Sequence, residues 1–393
     1  MIGAVTFLLI AAGTVVLLHA YLYGRLVHSA AGRARWRVLG AFVLLLLAAS
    51  TVAAVGLQRI LPPRLAARVT LTDWTVLSWV GYLWLALGLY LALVLLIVEI
   101  PRRLVSRRLD PGRRRVLARF LGGAALLVAG GTVGYGVQEA RTPRLARREI
   151  TLDRLDPKLD GMKIAALSDI HLGTINRGPF LADVVRRVND ETPDLVALVG
   201  DLTDGSVAEL GNAVAPLRDL VGPTFFVTGN HEYFYDAEAW CEFLPTLGVR
   251  VLRNERVPVG RWGAGPGSPT FDLAGIDDRT AERSGEPGHG ANLDKALDRR
   301  DPARAVVLLA HQPVMITQAA RAGVDLQISG HTHGGQILPF GYLVALDQPV
   351  LAGLSRVGRT WLYVTRGVGF WGPPVRVGAP PEITLITLRP ASR

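Results

Sequence analysis

The stretch Ile328-Ser329-Gly330-His331-Thr332-His333-Gly334-Gly335-Gln336 follows on the apolar run 324–328 and sets two histidines two residues apart among glycines. In an extended backbone, side chains at i and i+2 point the same way, so this spacing predicts that His331 and His333 face one site together. Neutral imidazole is the commonest protein metal ligand, and glycine lets a backbone bend sharply and approach its neighbours closely. Taken alone, the pattern fits a hydrogen-bonded glycine-rich loop as well as a metal site. The residues upstream decide between the two.

From 141 to 162 the chain reads as a polar connector leading to a short strand at 149–152. Short apolar runs at 163–167, 195–199, 224–227, 271–276 and 305–309 follow, with helical spacing at 179–188 between the first two. Strands at 361–365 and 382–388 close the pattern. Five of the runs, counting 324–328, deliver metal-competent side chains at their C-terminal ends. These are Asp169 and His171, then Asp201 and Asp204, then Asn230, His231 and Glu232, then His311, and last His331 and His333. Open α/β sheets place their sites at that edge. Asp204 and Glu232 read as residues that position neighbours, and Asp277-Asp278 as a turn or as substrate contacts. His289, in the Gly/Pro-rich segment 284–291, is expected to be solvent-exposed. Arg366 is a candidate support for the site.

Collected in order, Asp169-x-His171, Gly200-Asp201-x-x-Asp204, Gly229-Asn230-His231-Glu232, His311 and Gly330-His331-x-His333 resemble the calcineurin-like metallophosphoesterase superfamily. The likeness covers about 160–390, and the full Gly-His-Thr-His-Gly-Gly-Gln form is similar to a membrane-associated bacterial branch. The resemblance implies a β-sandwich flanked by helices and two bound metals. It implies that Asp169, His171 and His333 hold one metal and that Asn230, His311 and His331 hold the other. Asp201 bridges them, and His231 stands unliganded beside the substrate as the catalytic residue.

The chemistry of the donors agrees. Mixed oxygen and nitrogen ligands without thiolate suit Mn, Fe or Zn, and the single cysteine, Cys241, excludes a cysteine-based site. Two divalent ions bring +4 and two carboxylates return −2, leaving about +2 to attract a phosphate ester anion. Asn230, where a third carboxylate would weaken that attraction, fits. Two metals roughly 3.5–4 Å apart acidify a bridging water for in-line attack on phosphorus. His231 would then protonate the leaving oxygen or orient the phosphate.

Half of the 393 residues are hydrophobic, and the net charge of +10 is unevenly placed. Residues 1–148 carry 19 Arg, no Lys and four acids, for +15; taking that from the whole leaves −5 on 149–393. A nucleic-acid groove on the C-terminal part is therefore not expected. The N-terminal basicity flanks four apolar stretches, 3–23, 38–58, 74–98 and 120–138, each near the ~20 residues that cross a bilayer as helix. The fourth is rich in glycine, which suits close helix packing. The first lacks a basic n-region and reads as a retained anchor rather than a cleaved signal.

The expected organisation is thus an all-α transmembrane domain of four helices over 1–140, a linker over 141–160 and an α/β metallophosphoesterase domain over 161–393. Loops 24–37 and 99–119 hold twelve arginines, against seven on the other side. By the positive-inside rule this makes a multi-pass cell-membrane protein with its catalytic domain outside the cytoplasm. The functional expectation is a membrane-anchored phosphoesterase acting on phosphodiester or pyrophosphate bonds of a lipid- or envelope-linked substrate. The competing reading is a silent membrane sensor or scaffold with the same fold.

Overall fold

The computed structural model describes residues 2–57 and 71–391. They form two compact units, one of residues up to 138 with 372–377, the other of 139–371 with the chain from 378 onward. The first unit is helical: α1 (Ile2–Leu22), α2 (Ala34–Val52), α3 (Leu71–Ile97), α4 (Glu99–Ser106) and α5 (Pro111–Ala140). Large apolar side chains such as Leu45, Leu46, Ile97 and Leu127 are exposed on these helices. Helices without a polar face suit hydrocarbon rather than water.

Among the described residues, three helices are long and apolar enough to cross a membrane, Ala34–Gly56, Trp74–Ile97 and Pro111–Ala140. The expectation of four spans is thus met by three. α1 is a helix of 21 residues whose side chains through residue 11 lie outside the described set. Arg59, Arg64 and Arg68, counted above for orientation, also lie outside it.

Close packing by small residues does occur, but not mainly where the glycine content predicts it. Gly123, Gly130, Gly131 and Gly134 of α5 have no described atom within 4 Å of where a Cβ would sit. On α5 it is Gly136 that is crowded, where a Cβ would meet Val375 at 2.6 Å, and on α3 it is Gly81, pressed against the Ser50 carbonyl and Ala54. At the arginine-rich end, Glu99 gathers Arg25 (2.5 Å), Arg102 (2.9 Å) and Arg103 (2.5 Å).

The second unit is built on two six-stranded mixed sheets, the sandwich expected above. The first holds β1 (Arg144–Leu152), β12 (Glu382–Pro390), β2 (Met162–Leu167), β3 (Leu195–Val199), β4 (Thr224–Val227) and β5 (Val249–Val251), in that spatial order. The second runs β10 (Gly353–Val357), β11 (Thr360–Val364), β9 (Leu326–Ser329), β8 (Val306–Leu309), β7 (Phe271–Gly275) and β6 (Glu255–Val259). Nearly half of the stretch read as a linker is therefore a nine-residue strand, parallel to β12 along its whole length.

Inner faces of the two sheets share one core, with Ile164, Ala197, Val227, Leu273, Val307 and Ile328 all buried. Each fully buried Val, Leu or Ile there contributes about 1.5–3 kcal/mol. The helix Gly178–Asp190 covers the outer face of the first sheet through Leu181, Val184 and Val188. Within each sheet the central strands β2-β3-β4 and β7-β8-β9 are parallel, so their C-terminal ends emerge together. That edge carries the motifs.

Candidate metal centre

Each motif occupies the turn that follows its strand, and those turns are strained. Asp169 (φ 54°), His171 (φ 47°), Asp201 (φ 53°), His331 (φ 70°) and His333 (φ 51°) all sit in the left-handed region. For a non-glycine residue this costs of order 1–3 kcal/mol, and it persists only where the surroundings over-determine it. Here the turns brace one another: Asp169 N–H donates to the Gly200 carbonyl (3.1 Å) and His171 N–H to that of Asp201 (3.1 Å).

Glu232 ties in a third turn, accepting from the backbone N–H groups of Asp201 (3.0 Å), Leu202 (2.9 Å) and Gly229 (2.6 Å). His331 N–H reaches both Asp169 oxygens at 3.0 Å. Gly330 can only be glycine, since a Cβ would collide with Ser168 Oγ and Asp169 Oδ2. The same holds at Gly229, against Asp201.

This geometry corrects one premise of the sequence reading. The segment from His331 to His333 is not extended: Thr332 is α-helical (φ −79°, ψ −19°) between two left-handed residues. The two imidazoles therefore part company. Ligand atoms of Asp169, His171 and His333 lie within 4.8 Å of one another, as do those of Asp201, His311 and His331. A third overlapping group, His171, Asp201 and His231, links them.

Asp201 Oδ2 is the meeting point, 3.2 Å from His311 Nε2, 3.7 Å from His171 Nε2 and 4.0 Å from His231 Nε2. His333 Nε2 is 3.3 Å from Asp169 Oδ1 and 3.1 Å from His171 Nε2. Asn230 is buried between Gly229 and His231, and the His231 N–H donates to Asp201 Oδ1 (2.9 Å).

The remaining ring nitrogens are occupied in a way that aims the others inward. His311 Nδ1 lies 2.7 Å from the Val199 carbonyl, an acceptor only, so Nδ1 carries a proton and Nε2 is the nitrogen left to face Asp201. Asp204 Oδ1 meets His171 Nδ1 (2.9 Å) and His231 Nδ1 (2.6 Å). An outer carboxylate of this kind fixes ring orientation and raises ligand basicity. Among the described residues, Asn230 Oδ1 and His311 Nε2 are buried with no hydrogen-bond partner. Buried polar atoms are rarely left so. Two orphaned donor atoms beside two imidazole nitrogens facing each other fit a pair of divalent cations.

Electrostatics follow the same grouping. Burial pulls the His171 imidazole down, but Asp204, Asp201 and Asp169 outweigh it and raise its pKa to about 9. His311 is likewise raised, burial being overcome chiefly by Asp201. Burial opposes ionisation of Asp201 and Asp204, yet the surrounding imidazoles hold both carboxyls below their ordinary range. His331 is lowered, by burial and then by the charge on His311.

Asp277 is paired with Arg253 (3.1 Å) and Asp278 accepts from Gln312 (2.9 Å) and the Thr280 N–H (2.8 Å). Arg366 is held by Glu382 (2.8 Å). His289 is not exposed: its side chain is buried between Tyr233 Oη (3.1 Å) and Glu238 (2.8 Å), because the loop that carries it folds back over them. Two aromatic residues, Phe234 and Trp371, stand beside His231. Their rings lie 5.1 and 6.1 Å from that of His231, and both are exposed.

Comparison with known proteins places this geometry. A family model described as calcineurin-like phosphoesterase matches residues 162–335. A zebrafish (Danio rerio) transmembrane protein with metallophosphoesterase domain is 40% identical over 68% of this chain and 62% of its own length. The bovine (Bos taurus) protein of the same description is 41% identical over 64% of this chain and 58% of its own, so the chain spans less than two thirds of these two relatives.

Likeness is not confined to animals. An uncharacterised metallophosphoesterase of Bacillus subtilis is 32% identical over 70% of this chain and 97% of its own length. With its motif strands inside the matched model and bacterial relatives covered nearly end to end, the chain belongs to the calcineurin-like metallophosphoesterases.

Proposed function

We propose that this protein is a membrane-anchored phosphoesterase that uses two divalent metal ions, Mn, Fe or Zn, to hydrolyse phosphodiester or pyrophosphate bonds of a lipid- or envelope-linked substrate. The observation that carries it is the convergence on Asp201 Oδ2 of three imidazole nitrogens within 4.0 Å, delivered by three different strand ends. In this assignment Asp169, His171 and His333 hold one ion and Asn230, His311 and His331 the other, with Asp201 shared. When bound, such a pair supplies Lewis acidity and an acidified water as nucleophile.

The protein's own groups do the rest. Asp204 accepts from His231 Nδ1 (2.6 Å) and so leaves Nε2 directed at the substrate, where it donates a proton to the departing oxygen. Phe234 and Trp371 flank that ring and keep water from its sides.

The anchor is residues 1–140, in which α1 would be a fourth span beside the three long apolar helices, and the hydrolytic domain covers 161–393 together with β1 from the stretch 141–160. Arginine placement puts the domain outside the cytoplasm. Net negative charge on 149–393 argues against nucleic acid as substrate.

The test is hydrolysis of bis(p-nitrophenyl) phosphate by detergent-purified protein with added Mn²⁺. His231→Ala should lower turnover by about 10²–10⁴-fold with metal content unchanged. His333→Ala should lose metal as well. Absence of turnover in the metal-loaded parent chain would favour a sensor or scaffold instead. Failure on an envelope lipid fraction, with soluble esters still cleaved, would remove the lipid-linked substrate.

A further inference from the structure

Directly after the histidine turn, residues 336–346 hold no charged side chain. Within that run Leu338 (54%), Phe340 (46%), Tyr342 (75%), Leu343 (60%) and Leu346 (84%) are exposed. Single exposed apolar residues are ordinary, but a contiguous apolar patch marks an interaction surface. This one is held in shape. Gly341 packs against Gly335, where a Cβ would meet its Cα at 2.5 Å, and Phe340 N–H donates to the Ile337 carbonyl (2.7 Å). A short helix, Gly341–Val344, then carries Tyr342 and Leu343 outward.

The patch extends to Trp371, itself 43% exposed. Gln336 Nε2 donates to the Trp371 carbonyl (2.9 Å), and Trp371 N–H donates back to Gln336 Oε1 (3.0 Å). The same Trp371 ring stands at His231. The apolar rim and the proposed proton donor thus share one edge. One peptide bond beyond Trp371 the chain enters 372–377, which belongs to the helical unit: Arg376 N–H donates to the Gly136 carbonyl of α5 (2.9 Å), and Gly372 lies beside Tyr82 of α3. The rim is therefore continuous along the chain with the membrane-length helices.

We infer that segment 338–346, with Trp371, seats in the interfacial layer of the bilayer that anchors this chain, and that the metal site opens at that lipid surface. Tyr and Trp favour that layer because one end of the ring system is apolar and the other polar. Leu and Phe without neighbouring charge supply the buried area that interfacial binding scales with. The occupant is the bilayer, not a second copy of the chain and not the acyl chain of a substrate. The inference deepens the membrane-anchored reading above and rests on it.

The test uses the full chain in a Cys241→Ser background, with Leu343→Cys labelled by an environment-sensitive fluorophore and Arg299→Cys as the reference. The Arg299 side chain is 92% exposed in the same unit. Both are reconstituted into phosphatidylcholine nanodiscs with and without doxyl-labelled lipid. Doxyl lipid is expected to quench the Leu343 site by at least about twofold and iodide to leave it bright, with the opposite at Arg299. Quenching of the Leu343 site by iodide and not by lipid would overturn the inference. So would quenching by neither, which means that protein covers the patch. Because no turnover is measured, failure of the phosphoesterase assay and failure of lipid docking are read separately.

Discussion

At the scale of single residues, Asp204 governs the site without being one of its proposed ligands. One oxygen serves two imidazoles, His171 at 2.9 Å and His231 at 2.6 Å. Asp204→Asn keeps the shape but removes the charge that fixes both rings. Loss of such an outer partner typically lowers metal affinity or activity about 10–100-fold. Metal titration should show that fall, with the metal-free variant still folded by circular dichroism though less stable, since the buried imidazoles lose their partner.

Cys241 makes the opposite case, a reactive residue type made inert. Burial pushes its thiol up from 9.0 to about 12. The folded chain therefore keeps the proton where the unfolded chain gives it up. The resulting stability is complete below pH 9 and is lost as pH climbs towards 12. At pH 8.5 a thiol reagent should leave Cys241 untouched in the native protein and modify it fully in guanidinium. Rapid native labelling would contradict the burial.

Elements position these groups through turns that admit no extra atoms. After β9, a Cβ on Gly330 would strike Ser168 Oγ and Asp169 Oδ2, so the β2 and β9 turns can approach only with glycine there. Gly330→Ala should destabilise the domain by about 1–3 kcal/mol, as overpacking does, and lower its metal content. Gly123→Ala on α5 is the control, because nothing described lies within 4 Å of that position. Helix propensity alone predicts a change of at most about 1 kcal/mol in its favour. Melting curves and elemental analysis of the two variants separate a crowded turn from an open helix face.

For the whole molecule, the question is which side of the membrane receives the site. Twelve arginines on loops 24–37 and 99–119, against seven on the other side, are the ground for proposing that those loops are cytoplasmic and that the hydrolytic domain is not. Arg299→Cys in the Cys241→Ser background should react with a membrane-impermeant maleimide in intact cells. Protection until the cells are lysed would reverse the orientation. Glu99 absorbs Arg25, Arg102 and Arg103, which discounts some of that positive charge without changing its sign.

What could be read without coordinates follows the burial of each strand. β3 and β4, central and buried throughout, have the boundaries their apolar runs predict. The strands that sequence reading missed or cut by more than half, β1, β5, β6 and β10, are the four sheet edges. An edge strand meets solvent on one side, so it loses the continuous apolar run that marks a buried one. β1 shows this with Arg147, Arg148 and Glu149 exposed in its middle.

The proposed ligands were likewise legible as residue types at strand ends, because parallel strands must release their polar residues at one edge. Their division was not legible in the spacing and came only from the family resemblance. An extended backbone would send His331 and His333 to one place, and the left-handed turn sends one imidazole to Asp201 and the other to Asp169. Sequence alone determined which side chains reach this edge. Only the packing of one turn against the next decided which of them meet, since a strained φ is held by neighbours distant in the chain.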